Sequence, residues 1–255
     1  MQVLVISLAQ DSARRENISS QLQQLGVSFE FFDAVDGRLG EHPLLARYHK
    51  REFLLNYGRD AQPGELGCYA SHFLIWQRCV ELNQPIAVLE DDIALYDNFI
   101  KGFELAKSLT NELGFIRLEE PDRSSKWQLA GANQGFEFRK FIKMAQRTSG
   151  YMISPAVAKA FIDASERFEF PVDVFIRNFH KHQMPLFDIS PPILGQNRDE
   201  FDSHIGSRKR GQSKGIGLRL QILLRKLANM VGIGLTNLKH LSQLKRIRAN
   251  WKQAS

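Results

Sequence analysis

The first apolar run, Val3 to Leu8, is unbroken and rich in β-branched residues, the pattern of a strand buried on both faces. The period then changes. Ile18, Leu22 and Leu25 recur at i, i+4 and i+7, which predicts a helix capped by Asp11 or Ser12 and ended by Gly26. Val27 to Val35 predicts a second strand, closed by Asp36-Gly37, and the β-α-β unit predicts parallel pairing. Residues 38 to 62 carry a weaker pattern, read as a short helix and a loop. From Pro63-Gly64-Glu65 to Leu82, a stripe of Leu66, Tyr69/Ala70, Phe73, Trp76 and Val80 predicts a long helix that Pro85 ends. Ile86 to Leu89 is a short apolar strand running into Glu90-Asp91-Asp92. Further along, the pattern predicts a helix over 97–109 and a strand over 115–118 that ends in Glu119-Glu120. One or two strands over 136–145 and a strand over 150–154 follow. A helix is then predicted from Pro155, and a short one runs from a cap at Asp173 through His180. No internal repeat is present. The body reads as α/β with a mostly parallel central sheet.

Charge divides the chain. Its 34 Lys and Arg against 28 Asp and Glu give +6, but no acidic residue follows Asp202, and twelve basic residues fall between Arg208 and Lys252. Residues 1–202 therefore carry 22 basic and 28 acidic groups, a net of −6, and residues 203–255 form a +12 tail. Residues 208–217 have the composition of a flexible link. Leu218–Val231 and Leu238–Trp251 predict two amphipathic helices, the second capped by Thr236, with Leu238, Leu241, Leu244, Ile247 and Trp251 on one stripe. The longest charge-free run of the tail, Leu227 to Leu238, is too short and too polar to span a bilayer. The N-terminal run lacks the basic flank and cleavage site of a signal peptide. Cys68 and Cys79, on one helix but about 16 Å apart along its axis, read as reduced thiols of a cytoplasmic protein.

Glu90-Asp91-Asp92 is the most informative chemistry. Three adjacent carboxylates at a strand end repel one another unless water or a cation neutralises them. Mg²⁺ or Mn²⁺ takes such carboxylates together with phosphate oxygens. In parallel α/β sheets ligands bind at the carboxyl ends of strands. A solvated acidic turn is the plainer alternative. Arg14-Arg15, in the first turn of the first helix, make an anion-friendly site or a solvated face. His72 shares a helical stripe with Glu65, as a ligand contact or a core-edge histidine. His180 and His182 read as surface residues. Asp173 reads as a helix cap that could also serve as a base. No G-x-S-x-G elbow, phosphate loop or dinucleotide fingerprint occurs.

In order along the body come Ile6-Ser7-Leu8 with Arg14-Arg15, then Phe32-Asp33-Ala34-Val35-Asp36-Gly37, and Gly64-Glu65-Leu66-Gly67-Cys68 leading to Ser71-His72. Val88-Leu89-Glu90-Asp91-Asp92, Thr148-Ser149-Gly150-Tyr151, Pro171-Val172-Asp173, and Gln196 with Asp202-Ser203 follow. Together these segments resemble glycosyltransferase family 25, which includes bacterial lipooligosaccharide galactosyltransferases. The resemblance implies a GT-A-like fold and transfer of a hexose from a nucleotide sugar, typically UDP-galactose, to a lipooligosaccharide or lipopolysaccharide acceptor. It implies that Asp92, helped by Glu90, holds Mn²⁺ or Mg²⁺ against the donor diphosphate. The first β-α turn, with Ser7, Leu8, Arg14 and Arg15, would hold the nucleotide. Asp36, Glu90 and Asp91 would complete the donor side, and Glu65 and His72 would shape the donor or acceptor site. An inverting transfer needs a base, for which Asp173 is the first choice and Glu119 and Glu120 the alternatives.

An acceptor anchored in a membrane gives the tail a purpose. Basic residues drawn to an anionic leaflet and apolar stripes ending in Trp251 predict peripheral binding, through residues 208–252, to the cytoplasmic face of the inner membrane. The alternative is a helical hairpin packed on the acidic body. A nucleic-acid-binding module is a competing function class, and no nucleic acid is expected, because the tail has one aromatic residue and the body offers carboxylates. A metal-dependent hydrolase of nucleotide sugars or phosphodiesters is a further one.

Overall fold

The structure is a computed structural model and describes residues 1–120, 124–197 and 215–253. Asp202-Ser203 and most of the expected link lie outside the described residues.

The chain opens with β1 (Gln2–Ser7), α1 (Ser12–Gln24) and β2 (Glu30–Asp33). A 3₁₀ turn (Pro43–Arg47) leads to α2 (Lys50–Tyr57) and the long α3 (Pro63–Leu82). Then come β3 (Ile86–Glu90), β4 (Ile93–Leu95), α4 (Phe99–Leu113) and β5 (Phe115–Arg117). β6 (Lys126–Asn133), β7 (Phe136–Lys143), β8 (Gly150–Ile153), α5 (Pro155–Asp163), α6 (Val172–Arg177) and α7 (Phe179–His182) follow. The chain then forms β9 (Phe187–Ser190), β10 (Leu194–Gln196) and α8 (Ile216–Gln253).

Eight strands form one sheet in the order β2-β1-β3-β8-β5-β9-β7-β6. β1 pairs in parallel with both β2 and β3, and β5 with β9; the other four pairings are antiparallel. The expected α/β architecture is therefore present as a mixed sheet, whose parallel part is centred on β1 and whose antiparallel pairings lie beyond β3. Alternation along the strands feeds two cores. Leu4, Ile6, Ile86 and Val88 face α3, α5 and α6, whereas Val3, Val5, Ala87 and Leu89 face α1 and α4. Burial on both faces explains why these strands read as continuous apolar runs.

Several elements differ from their sequence patterns. β6 is unexpected because its alternation is weak, and Trp127 and Leu129 point to solvent. Its partner β7 follows a two-residue turn in which Gln134 and Gly135 both have positive φ, the geometry of a tight hairpin. The tail is one helix of 38 residues rather than two. Gly232 does not break it. Instead that glycine lets α8 pass close to His180, whose ring a Cβ would approach to 3.0 Å. Thr236 is no cap: its hydroxyl donates to the Gly232 carbonyl inside the helix (2.9 Å).

The helix also joins the body. Leu244 and Ile247 are buried in the second core, and Trp251 packs edge-on to Phe138 and over Gly131. Asn237 donates to the Ile142 carbonyl (2.8 Å) and Arg248 to that of Leu129 (2.8 Å). Nearer its start, Arg225 pairs with Glu52 on α2 (2.7 Å). His182, expected at the surface, is buried against Phe161 and Phe175. No helix of the described residues is long and apolar enough to cross a membrane.

Candidate active site

The parallel strands β2, β1 and β3 end side by side at Asp33, Ser7 and Glu90. A cleft opens there, lined by Ser7, Leu8, Arg14, Asp36, Arg38, Cys68, His72, Glu90, Asp91 and Asp92 among others. Two glycines build its wall. A Cβ on Gly37 would lie 1.9 Å from the Pro63 carbonyl oxygen, and one on Gly67 would lie 2.3 Å from that of Val35. Only glycines allow the loop after β2 to touch the start of α3 in this way. Ser71 fixes the contact, accepting from the Val35 amide (2.9 Å) and donating to the Gly67 carbonyl (2.8 Å). Asp36 and Arg38 thereby reach the rim, and Cys68 and His72 face inward one helical turn apart.

The carboxylate triplet spreads in three directions. Asp91 is buried and accepts from Arg14 Nη1 (3.1 Å), and the same nitrogen lies 3.8 Å from Asp92 Oδ2. Asp92 is held at its backbone, where its carbonyl accepts from the Asn197 amide (2.8 Å), while its Oδ1 is buried without a hydrogen-bond partner. Glu90 accepts from the Thr148 hydroxyl (3.2 Å), and its Oε1 lies 3.6 Å from His72 Nε2.

Burial first, and then Asp91, push the Glu90 carboxyl up to about 7. Burial and then Glu90 do the same for Asp92, also to about 7, although Arg14 opposes the shift. Two carboxyls poised near neutrality in one cleft are a signature of a functional site. The His72 ring is fully buried and held down to about 4 by desolvation, so it is neutral at pH 7. Its Nδ1 meets the Tyr151 hydroxyl (2.9 Å), which also accepts from the Trp76 indole (3.0 Å).

Other expected site residues have different places. Arg14 is anion-facing only in part, because Asp11, Asp91 and Asp92 engage it. Arg15 lies outside the cleft lining; it donates to the Ser7 carbonyl, pairs with Asp33 and covers the Phe31 ring, tying β1 to β2. Glu65 is likewise not a lining residue. It belongs to a capping box at the start of α3, accepts from the Gln62 amide (3.0 Å) and pairs with Arg59 (2.6 Å). That cap was readable, since Gln62 and Glu65 stand three residues apart before an apolar stripe.

Glu119 is buried behind the cleft, bonded to Arg117 (2.8 Å) and the Ser149 amide (3.3 Å), and burial raises it to about 7. Glu120 is exposed on the next residue. Asp173 lies in the first turn of α6, near enough to act electrostatically on His72, Cys68 and Glu90. Its Oδ1 accepts from the Val174 amide (2.8 Å), and Pro171, not Asp173, is the N-cap.

Arg38 is the cleft cation that sequence reasoning missed. Its side chain is 50% exposed, against 7% for Arg14. It chelates Asp36 through two nitrogens (2.8 and 2.6 Å), and that bond holds the Asp36 carboxyl down at about 2. The Asp-Gly-Arg turn, in which the Arg38 amide also bonds Asp36 (3.0 Å), was the available signal.

Over residues 1–176 the sequence matches the pattern of glycosyltransferase family 25 (LPS biosynthesis protein). The chain belongs to glycosyltransferase family 25. All the cleft residues named above fall within the matched span. A glycosyltransferase 25 family member of Aedes aegypti is 32% identical over 68% of this chain and 30% of its own length. The lacto-N-neotetraose biosynthesis glycosyltransferase LgtE of Neisseria gonorrhoeae is 28% identical over 77% of this chain and 74% of its own. An inactive family 25 member 3 of Mus musculus is 35% identical over 40% of this chain. This family 25 chain spans only 30% and 18% of the lengths of the mosquito and mouse proteins.

Proposed function

We propose that this protein is a glycosyltransferase that moves a hexose from a UDP-sugar, UDP-galactose first among them, onto a lipooligosaccharide or lipopolysaccharide acceptor with inversion. The observation that carries the proposal is the cleft itself. Glu90 and Asp92 share it, both shifted to about 7, at the carboxyl ends of parallel strands. Their neighbourhood suits Mn²⁺ or Mg²⁺. The buried Asp92 Oδ1 lacks a partner, and mutual repulsion is what a cation relieves. Asp92 and Glu90 would hold the ion, whose chemistry there is to neutralise the donor diphosphate as charge develops on the leaving UDP.

The chain's own residues supply the rest. Asp91 and Asp11 hold Arg14 in place beneath the metal carboxylates. Arg38 is the most exposed cleft cation and is placed to meet a phosphate at the rim, exchanging part of its bond with Asp36. Ser7 and Leu8 form the floor under the nucleotide. Asp173 is the base for the acceptor hydroxyl. Glu119 is committed to Arg117 and Ser149; neither Asp173 nor Glu120 lines the cleft, but Asp173 acts electrostatically on the lining residues His72 and Glu90.

The acceptor's membrane anchor is met by α8. Its apolar residues Ile216, Leu220, Leu223, Leu224, Leu227 and Met230 are exposed and fall on one helical stripe, which Val231, Leu235, Leu238 and Leu241 continue. Arg219 and Lys226 flank it on one side and Lys239 and Arg246 on the other. The protein would then work as a peripheral enzyme on the cytoplasmic face of the inner membrane.

A panel of UDP-sugars with Mn²⁺ or Mg²⁺ and a truncated lipooligosaccharide, read by mass spectrometry, tests the transfer. One added hexose from UDP-galactose is expected. Free hexose and UDP without acceptor product would make the protein a hydrolase instead. Near-normal transfer by Asp173→Asn would remove the base assignment.

A further inference from the structure

Beyond the hard cation expected at Asp92, the cleft contains a softer donor set. We propose that Cys68, His72 and Glu90 form a binding site for a thiophilic transition-metal ion, Zn²⁺ by chemical preference. Cys68 Sγ, one imidazole nitrogen and one Glu90 carboxylate oxygen lie within 4.8 Å of one another. Cys68 and His72 are four residues apart on α3, so the helix itself stacks a thiol and an imidazole on one face.

Zinc bonds of about 2.0–2.3 Å imply donors roughly 3.3–3.8 Å apart around a tetrahedron. His72 Nε2 and Glu90 Oε1 already stand at 3.6 Å. The remaining separations, at most 4.8 Å, would shorten by about 1 Å on binding.

Two independent observations point to a ligand. His72 is fully buried, yet its Nε2 has no hydrogen-bond partner and is directed at Glu90. Its other nitrogen meets Tyr151, whose oxygen can accept from both Trp76 and a His72 Nδ1–H. In the tautomer with its proton on Nδ1 the Nε2 lone pair is free, which is how outer hydrogen bonds orient metal-bound histidines. Burial first, and then the Glu90, Asp173 and Asp92 carboxylates, push the Cys68 thiol well up, so it stays protonated without an ion, and the same carboxylates make a field that draws a divalent cation. Binding forms Cys68 Sγ, His72 Nε2 and Glu90 carboxylate bonds to the ion and releases the thiol proton to solvent. No oxidation or reduction is involved. Because Glu90 serves both sets, zinc occupancy withdraws it from the hard-metal position, so this ion would oppose rather than support transfer.

The test needs no sugar transfer, so its outcome is separate from that of the proposed activity. Co²⁺ is titrated into the full chain as a spectroscopic probe and then displaced with Zn²⁺. One equivalent should produce a thiolate-to-cobalt charge-transfer band that Zn²⁺ abolishes. The band should vanish in Cys68→Ser and persist in Cys79→Ser, whose thiol, about three turns further along α3, donates to the Gln84 and Ile153 carbonyls. Saturating Zn²⁺ should also protect Cys68 of the unaltered protein from alkylation, read by peptide mass spectrometry. Absence of the band, its survival in Cys68→Ser, or undiminished alkylation under Zn²⁺ each overturns the proposal.

Discussion

At the carboxyl ends of β1 and β3 this protein buries charge, whereas along the first two-thirds of α8 it exposes hydrocarbon. Arg14, Asp91, Glu119 and His72 are buried within or just behind the cleft. On α8, Leu220 is 54% exposed, Met230 67% and Leu238 64%. Both regions invert the ordinary distribution of polar and apolar groups, and both inversions oppose folding of the isolated chain. They differ in how far the protein compensates. In the cleft, Arg14, Thr148 and the Ser149 amide satisfy part of the acidic cluster, and the buried Asp92 Oδ1 is left without a partner. On α8 the exposed stripe has no cover among the described residues, while the far end of the same helix is seated through Leu244 and Ile247. A contiguous apolar patch of this kind marks an interaction surface. The cleft thus reads as a place for a small charged ligand, and the stripe as a place for an extended apolar one.

Removing a cleft carboxylate should separate function from stability most sharply. Asp92→Asn is expected to lower sugar transfer by about 10²–10³-fold, the usual loss when one transition-state charge partner goes. The melting temperature should stay level or rise, because one of two mutually repelling, partly buried carboxylates is gone. Transfer assays and thermal melts of the same preparations check both halves. A large loss of stability would mean that Asp92 is a structural residue, and the contrast with α8 would fail.

The stripe should behave in the opposite way. Replacing Leu220, Leu227 and Leu238 together with Ser should reduce binding to anionic vesicles at least tenfold. Fully burying one such side chain contributes about 1.5–3 kcal/mol, and about 1.4 kcal/mol is tenfold in affinity. Divalent-cation binding in the cleft should be unchanged, and so should the melt, since these side chains pack little in the free protein. Co-sedimentation with vesicles at two salt concentrations measures the effect. Affinity that does not fall with salt would deny a role to the flanking Arg and Lys. Unaltered binding by the triple variant would remove the membrane from the reading of α8.

The cleft was far more legible in the sequence than the helix. Its elements are local: a buried strand running into three carboxylates, an Asp-Gly turn and a glycine-bearing helix start. Strand ends in a parallel sheet gather such segments at one edge. What was not legible is where long side chains turn. Arg14 and Arg15 are neighbours, yet one meets Asp91 and the other staples β1 to β2. Glu65 carries the right charge for a site but is committed to its own helix cap. The weak strand β6 was invisible because both its large apolar residues, Trp127 and Leu129, face solvent. In α8, composition showed basic residues and apolar stripes, but Gly232, Thr236 and Asn237 looked like a break between two helices where the chain forms one. They instead fit the helix against His180 and the Ile142 carbonyl, contacts distant in sequence.

The smallest effect concerns pH, which should act on the two regions with opposite sign. In the cleft, Glu90 and Asp92 have native pKa values raised above their ordinary ones. The native state therefore holds more protons than the unfolded one between about 4.5 and 7, and that share of stability is lost as pH rises. Near α8 the shift is reversed. Burial lowers His182, to about 3, and lowers His240, whose Nε2 bonds the Gln183 carbonyl (2.8 Å). The unfolded or detached state then binds more protons below the ordinary histidine value of about 6.5, and stability is lost as pH falls. Acidification from pH 7 to pH 5 should accordingly loosen the seat of α8 while tightening the cleft. Hydrogen exchange should show severalfold faster exchange, corrected for intrinsic rates, in peptides covering residues 236–248, and none of that acceleration in β3. His240→Gln, which keeps a donor for Gln183 but cannot be protonated, should remove part of the acceleration. Equal acceleration in both regions would mean that pH acts on the fold as a whole rather than on these two departures from it.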